Sequence, residues 1–226
     1  MAKWQPGDSW LHYDYREDVS YVYINIPKNA SCWMKENFGG YFYDWHKNQF
    51  KAPVDSAVTL RRGLQAVKRY LVILRDPVDR WITGFAQSYW GGDPRDPNYF
   101  QNQPPNLWID LIPNDDHVRP QTGFLLGLDL SATTWFDCDR DLTQCFRHWM
   151  QARFDQPIKD LADDLCNDYN VSSRGLPFAA TGVTQQSIID RVRQMLIDHP
   201  QCRSRLDEIY SADHHLRASV EFYGAR

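Results

Sequence analysis

The sequence predicts an α/β fold on a central parallel sheet, and three observations carry that reading. Two apolar runs, residues 21–26 (Tyr-Val-Tyr-Ile-Asn-Ile) and 70–74 (Tyr-Leu-Val-Ile-Leu), are each followed directly by a helical pattern, as strands joined by crossover helices are. The second run places four aliphatics in a row, which suits a strand covered on both faces. With 226 residues, 42% of them hydrophobic, the chain fits one domain over residues 1–226 and needs neither disulfide nor metal to hold its core.

The elements follow in order. Residues 21–26 are β-branched and aromatic and stop at Pro27, so they read as a buried strand. Residues 28–31 form a tight loop, 32–38 a short helix, and Gly39-Gly40 its stop. Tyr41-Phe42-Tyr43 suits a second strand, and residues 64–68 close a helix before the 70–74 strand. The helix after that strand is the best marked: Asp76 caps it, Pro77 takes the first position, and Asp79 lies near the positive end of the dipole. Val78, Trp81, Ile82, Phe85 and Tyr89 form one apolar stripe, with Arg80, Thr83 and Gln87 on the other side.

Residues 91–120 change character, holding six of the 13 prolines, with only 107–112 reading as helix. A Pro-rich loop of this length inside a domain reads as a lid or binding loop. Residues 133–136 then suit a strand, 142–154 a helix, and 184–199 an amphipathic helix with Ile188, Ile189, Val192, Met195 and Leu196 on one face. Thr184 caps it and Val183 staples onto Ile188.

Charge and cysteine usage exclude several classes. A net charge of −4 gives no global attraction to nucleic acid or anionic lipid, so any anion site must be local. No run approaches the ~18 apolar residues of a membrane span, and the acidic, aromatic N-terminal stretch does not read as a signal peptide. Five cysteines without a C-x-x-C pair fit neither a disulfide framework nor a zinc cage, and the expected location is the cytoplasm. Asn29-Ala30-Ser31 and Asn170-Val171-Ser172 match glycan acceptors, but a phosphate loop cannot carry a glycan.

Two segments carry chemistry. A strand that ends in a Lys- and Ser-bearing loop and opens a helix is an anion site, because unpaired N–H groups and the helix dipole point into the loop. Lys28 and Ser31 add a mobile charge and a hydroxyl, while the Walker pattern for nucleoside triphosphates is absent. Arg75 stands at the carboxyl end of the 70–74 strand, where open α/β sheets bind ligands, with Thr83 on the helix that follows. A guanidinium and a hydroxyl suit an isolated phosphate; a surface pair between Arg75 and Asp76 or Asp79 is the other reading of the same residues.

Together the segments resemble a family. YINIPKNASCWM at 23–34 is similar to the 5′-phosphosulfate loop of sulfotransferases, and LVILRDPVDRWITGF at 71–85 to their 3′-phosphate signature, about 47 residues apart from Lys28 to Arg75. DDHVRPQTGFL at 115–125, TTWFDCDRDL at 133–142 and IYSADHHL at 209–216 resemble segments of the carbohydrate branch. The resemblance implies a three-layer α/β/α fold of P-loop-like type, with 3′-phosphoadenosine-5′-phosphosulfate as donor and 3′-phosphoadenosine-5′-phosphate as product. It implies a donor site of Pro27, Lys28, Asn29, Ala30, Ser31, Cys32, Trp33, Arg75 and Thr83, with Lys28 on the bridging and sulfuryl oxygens and no metal. The acceptor it implies is the hydroxyl or amine of a glycan or small molecule, with no nucleic-acid polymer and no membrane as partner. Arg80 matches the signature's second Arg, either on ligand or on a solvated face.

The family's base is a His or Glu on the acceptor side, and here His46 and His117 are the candidates. His46, at the end of a strand, is preferred because a strand end is held more rigidly than a lid. A phosphate-transferring kinase and a nucleotide-binding protein that has lost catalysis are the alternative readings.

Overall fold

The computed structural model describes residues 9–14, 16–31, 33–34, 41–44, 49–51, 64–90, 95, 102–104, 107–109, 116–153 and 182–224. Its strands are β1 (Ser9–Asp14), β2 (Val19–Ile24), β3 (Tyr41–Asp44), β4 (Gln49–Lys51), β5 (Val67–Leu74) and β6 (Thr133–Asp137). Its helices are α1 (Pro77–Trp90), α2 (Leu142–Arg153), α3 (Gln185–Asp198), α4 (Pro200–Ile209) and α5 (Ser211–Ser219). None of the described helices is long and apolar enough to cross a membrane. The chain divides into two compact units, one from Met1–Leu74, Thr122–Leu165 and Val220–Arg226, the other from Arg75–Gln121 and Cys166–Ser219.

The first unit holds one six-stranded sheet in the order β4-β3-β1-β2-β5-β6. β2, β5 and β6 run parallel, with Val22 opposite Tyr70 and Ile73 opposite Phe136. β1 pairs antiparallel with β2 and with β3, and β3 with β4. The sheet is therefore α/β in type but mixed, where a parallel one was expected. The cause is connection length: only residues 15–18 separate β1 from β2, and a parallel crossover needs about a dozen residues or more. Asp18 closes this hairpin at φ 53°, its carboxylate accepting from the Tyr13 hydroxyl at 2.7 Å.

Every residue of β2 and the last four of β5 are buried, as strands in the middle of a sheet are. Tyr21, Tyr23, Leu71, Ile73 and Phe136 alternate along their strands onto one face, where α2 lays Leu142, Phe146, Trp149 and Met150 against them. Those four recur at i, i+4, i+7 and i+8, one helical stripe. Trp149 meets Tyr21 edge-on at 5.1 Å, and Phe136 meets Phe146 at 5.6 Å, geometries that add to the area buried. Beyond β6, Tyr223 N–H donates to the Trp135 carbonyl at 2.8 Å, and Phe222 bridges to the same residue.

The second unit is helical. α1 begins as expected: Asp76 Oδ1 accepts from the N–H groups of Val78 and Asp79, both at 3.0 Å. Val78, Trp81, Ile82 and Phe85 pack with Ile188, Ile189, Val192, Met195 and Leu196 of α3, and Tyr89 and Val183 lean on the same cluster. Thr184 caps α3, its Oγ1 accepting from Ser187 N–H at 3.0 Å. The polar side of α1 is buried as well, Arg80 and Thr83 being only 1% and 2% exposed. A helical pattern marks which face is apolar, but not whether the polar face meets water or other backbone. Leu64 and Gln65 are helical, yet Val67 and Lys68 already belong to β5. Within the expected 107–112 helix, Leu107 N–H closes a tight turn on the Pro104 carbonyl at 2.9 Å, and Asp110, Leu111 and Ile112 lie outside the described residues.

Candidate functional site

In the first unit the candidate site is the loop after β2. Lys28 and Ala30 take positive φ, 71° and 58°, while Asn29 between them does not. Alternation of this kind turns successive N–H groups toward one side and makes an anion-binding concavity. Ser31 follows as the first helical residue, and Met34 N–H bonds the Ala30 carbonyl at 2.9 Å, so the orphan donors of a helix start adjoin the loop.

Asn29 enforces this shape. It is fully buried, and its Nδ2 donates to the Ile73 carbonyl of β5 at 2.7 Å. Its own N–H closes a turn on the Ile26 carbonyl at 3.1 Å, and its carbonyl accepts from the Tyr23 hydroxyl at 3.4 Å. The Asn29 side chain thus ties the loop to the sheet. Trp33 is 3% exposed, and its indole stands edge-on to Phe146 at 5.3 Å in the core. Pro27, Lys28, Ala30 and Ser31 are half-buried, and Cys32 lies outside the described residues.

In the second unit Arg75 and Thr83 meet as expected. Arg75 Nη1 donates to Thr83 Oγ1 at 3.3 Å, and that hydroxyl also bonds the Asp79 and Arg80 carbonyls at 3.1 and 3.0 Å. The carboxylates of Asp76 and Asp79 pair with Arg217 and Arg193, each at 3.8 Å. Arg80 holds backbone: one Nη donates to the Arg119 carbonyl, the other to that of Asp116 at 2.8 Å. Burial pushes its pKa down to about 10, which leaves the guanidinium charged at neutral pH.

Segment 116–121 is pinned from several sides. The Tyr210 hydroxyl donates to the Val118 carbonyl, and Gln121 N–H to Asp213 Oδ2 at 2.7 Å. Burial, ahead of any charge, pushes the Tyr210 phenol up. Gly84 of α1 lies so close that a Cβ there would stand 2.2 Å from the His117 carbonyl oxygen. His117 therefore sits in a braced turn rather than on a free lid, half-buried, its Nε2 3.2 Å from the Gln87 side-chain amide. His46, the other candidate base, lies outside the described residues. The segments around His117 and around Tyr210 and Asp213 thus bond to each other. Gln121, Asp213 and Gly84 carry no role in the reading of the sequence; Pro120-Gln121 and the Tyr210/Asp213 spacing were the available signals.

No family model, curated protein or solved structure matches this chain.

Proposed function

We propose that this chain is a sulfotransferase of three-layer, P-loop-like type, moving a sulfuryl group from 3′-phosphoadenosine-5′-phosphosulfate to a hydroxyl or amine, with a carbohydrate as the acceptor class. The observation that carries the reading is the loop after β2, where non-glycine residues 28 and 30 hold positive φ just before a helix start and one of them is a lysine. Strain of this kind persists only where its surroundings impose it, and Asn29 supplies that constraint. Arg75 with Thr83 adds a cation and hydroxyl suited to a terminal phosphate.

In the reaction the acceptor oxygen or nitrogen attacks sulfur in line, the bond from sulfur to the bridging phosphate oxygen breaks, and 3′-phosphoadenosine-5′-phosphate leaves. Charge grows on the bridging oxygen, and the Lys28 ammonium offsets it, so stabilisation by fixed charge supplies what a metal would otherwise provide. A base removes the acceptor proton. His46, preferred for its place at a strand end, and His117, whose turn is braced by Arg80, Tyr210 and Asp213, are the candidates for it. A cytoplasmic location belongs to the same proposal, and Cys138, Cys145 and Cys202 are free thiols.

Melting curves with nucleotide test the reading. The desulfated product at 100 times its dissociation constant is expected to stabilise the fold by ~2.7 kcal/mol, with ATP and magnesium doing much less. The reverse ranking would turn the assignment toward a kinase. Binding of product with no sulfuryl transfer to any of a panel of glycans and small hydroxyl or amine compounds would leave a nucleotide-binding protein without catalysis.

A further inference from the structure

We propose that Gln121 is a positioning residue for Arg75, holding the backbone of that residue so that its guanidinium is set for the donor's 3′-phosphate. The inference rests on the sulfotransferase reading. Gln121 is 1% exposed and gives both ends of its amide to one residue 46 positions earlier. Its Oε1 accepts from Arg75 N–H at 3.1 Å, and its Nε2 donates to the Arg75 carbonyl at 2.9 Å. β5 ends at Leu74, so Arg75 has left the ladder, and the glutamine supplies the donor and acceptor that a neighbouring strand would.

Gln121 is itself held. Its N–H donates to Asp213 Oδ2 at 2.7 Å, and Asp213, on α5, is 1% exposed. The chain of bonds runs from α5 through Gln121 to the Arg75 backbone, and Thr83 then fixes the far end of the Arg75 side chain. A buried amide is costly unless both ends are paired. Here the pairing goes to the residue whose guanidinium is proposed to meet the phosphate, and bidentate recognition of phosphate tolerates only about 0.5 Å of error.

Calorimetric titration of the full chain tests this, with 3′-phosphoadenosine-5′-phosphate and adenosine 5′-phosphate as paired ligands. Wild type, Gln121→Met and Asp213→Asn are compared, with melting curves recorded without nucleotide. Wild type is expected to prefer the 3′-phosphorylated ligand, and Gln121→Met to lose about tenfold of that preference, the scale of one hydrogen bond to a charged group. Affinity for adenosine 5′-phosphate should stay nearly constant. Asp213→Asn should shift the preference the same way by a smaller factor, and it decides the matter should Gln121→Met fail to fold. If wild type shows no preference, the sulfotransferase reading falls, and this inference with it. If wild type discriminates and the variants keep the full preference, or lose both affinities equally, the positioning role alone is overturned.

Discussion

Lys28 is held at a backbone angle that an ordinary turn would give to glycine, at a cost of roughly 1–3 kcal/mol, and Ala30 repeats that cost two residues on. Under the proposed function its charge would act on an oxygen that becomes negative only as the sulfuryl group leaves, whereas Arg75 would face a phosphate that is charged throughout. The two should therefore separate in steady-state and binding measurements. Lys28→Ala is expected to lower kcat with little change in nucleotide affinity, and Arg75→Ala to weaken that affinity by ~1.5–3 kcal/mol. Equal, small effects from both would remove the site assignment. The types Lys28, Ser31, Arg75 and Thr83 were legible because strand ends and helix starts are local features. The inward turn of Asn29 was not, since its partner, the Ile73 carbonyl, is 44 residues away and no local pattern announces it.

Among the elements, the parallel strands β2, β5 and β6 and the helices α1 and α3 were readable from periodicity, because burial on two faces or one stripe writes itself into the residue types. β1 and β4 were not. His12 and Asp14 break the apolar character of β1, and β4 is three residues long, too short to show alternation. What the polar face of α1 meets was not legible for a related reason: Arg80 and Thr83 meet carbonyl groups, and backbone acceptors leave no trace in composition. Gly84 sits on this helix against the His117 carbonyl, where an added methyl has backbone in its way rather than a yielding side chain. Gly84→Ala is expected to destabilise by about 1–3 kcal/mol, although alanine is the better helix former. Urea unfolding checks it, and a more stable variant would show that the turn moves aside freely.

For the whole molecule, alkaline pH is informative. Burial raises the Tyr210 phenol above its ordinary value, so on raising the pH the unfolded chain releases this proton first, near pH 10. The stability it contributes is complete below that pH and is lost as pH climbs toward the folded-state value. Arg80, lowered to about 10, works in the opposite sense over the same range but is present in both proteins when wild type is compared with Tyr210→Phe. The advantage of wild type over Tyr210→Phe in unfolding free energy, read from urea titrations, should thus be ~1–3 kcal/mol at pH 8 and shrink above pH 10; a constant gap would show that the phenol is not the titrating group. The way the units are drawn from the chain has a consequence for biosynthesis. Residues up to Leu74 bring β1 to β5 off the ribosome, but β6 begins only at Thr133, after all of Arg75–Gln121 has been made. At ~5–20 residues per second, β5 waits roughly 3–12 s with Leu71, Val72, Ile73 and Leu74 along an unpaired edge. A nascent chain that pairs β5 with β2 before β6 is made would carry that edge uncovered, and slower translation between the two strands would be expected to lengthen its exposure to a wrong partner.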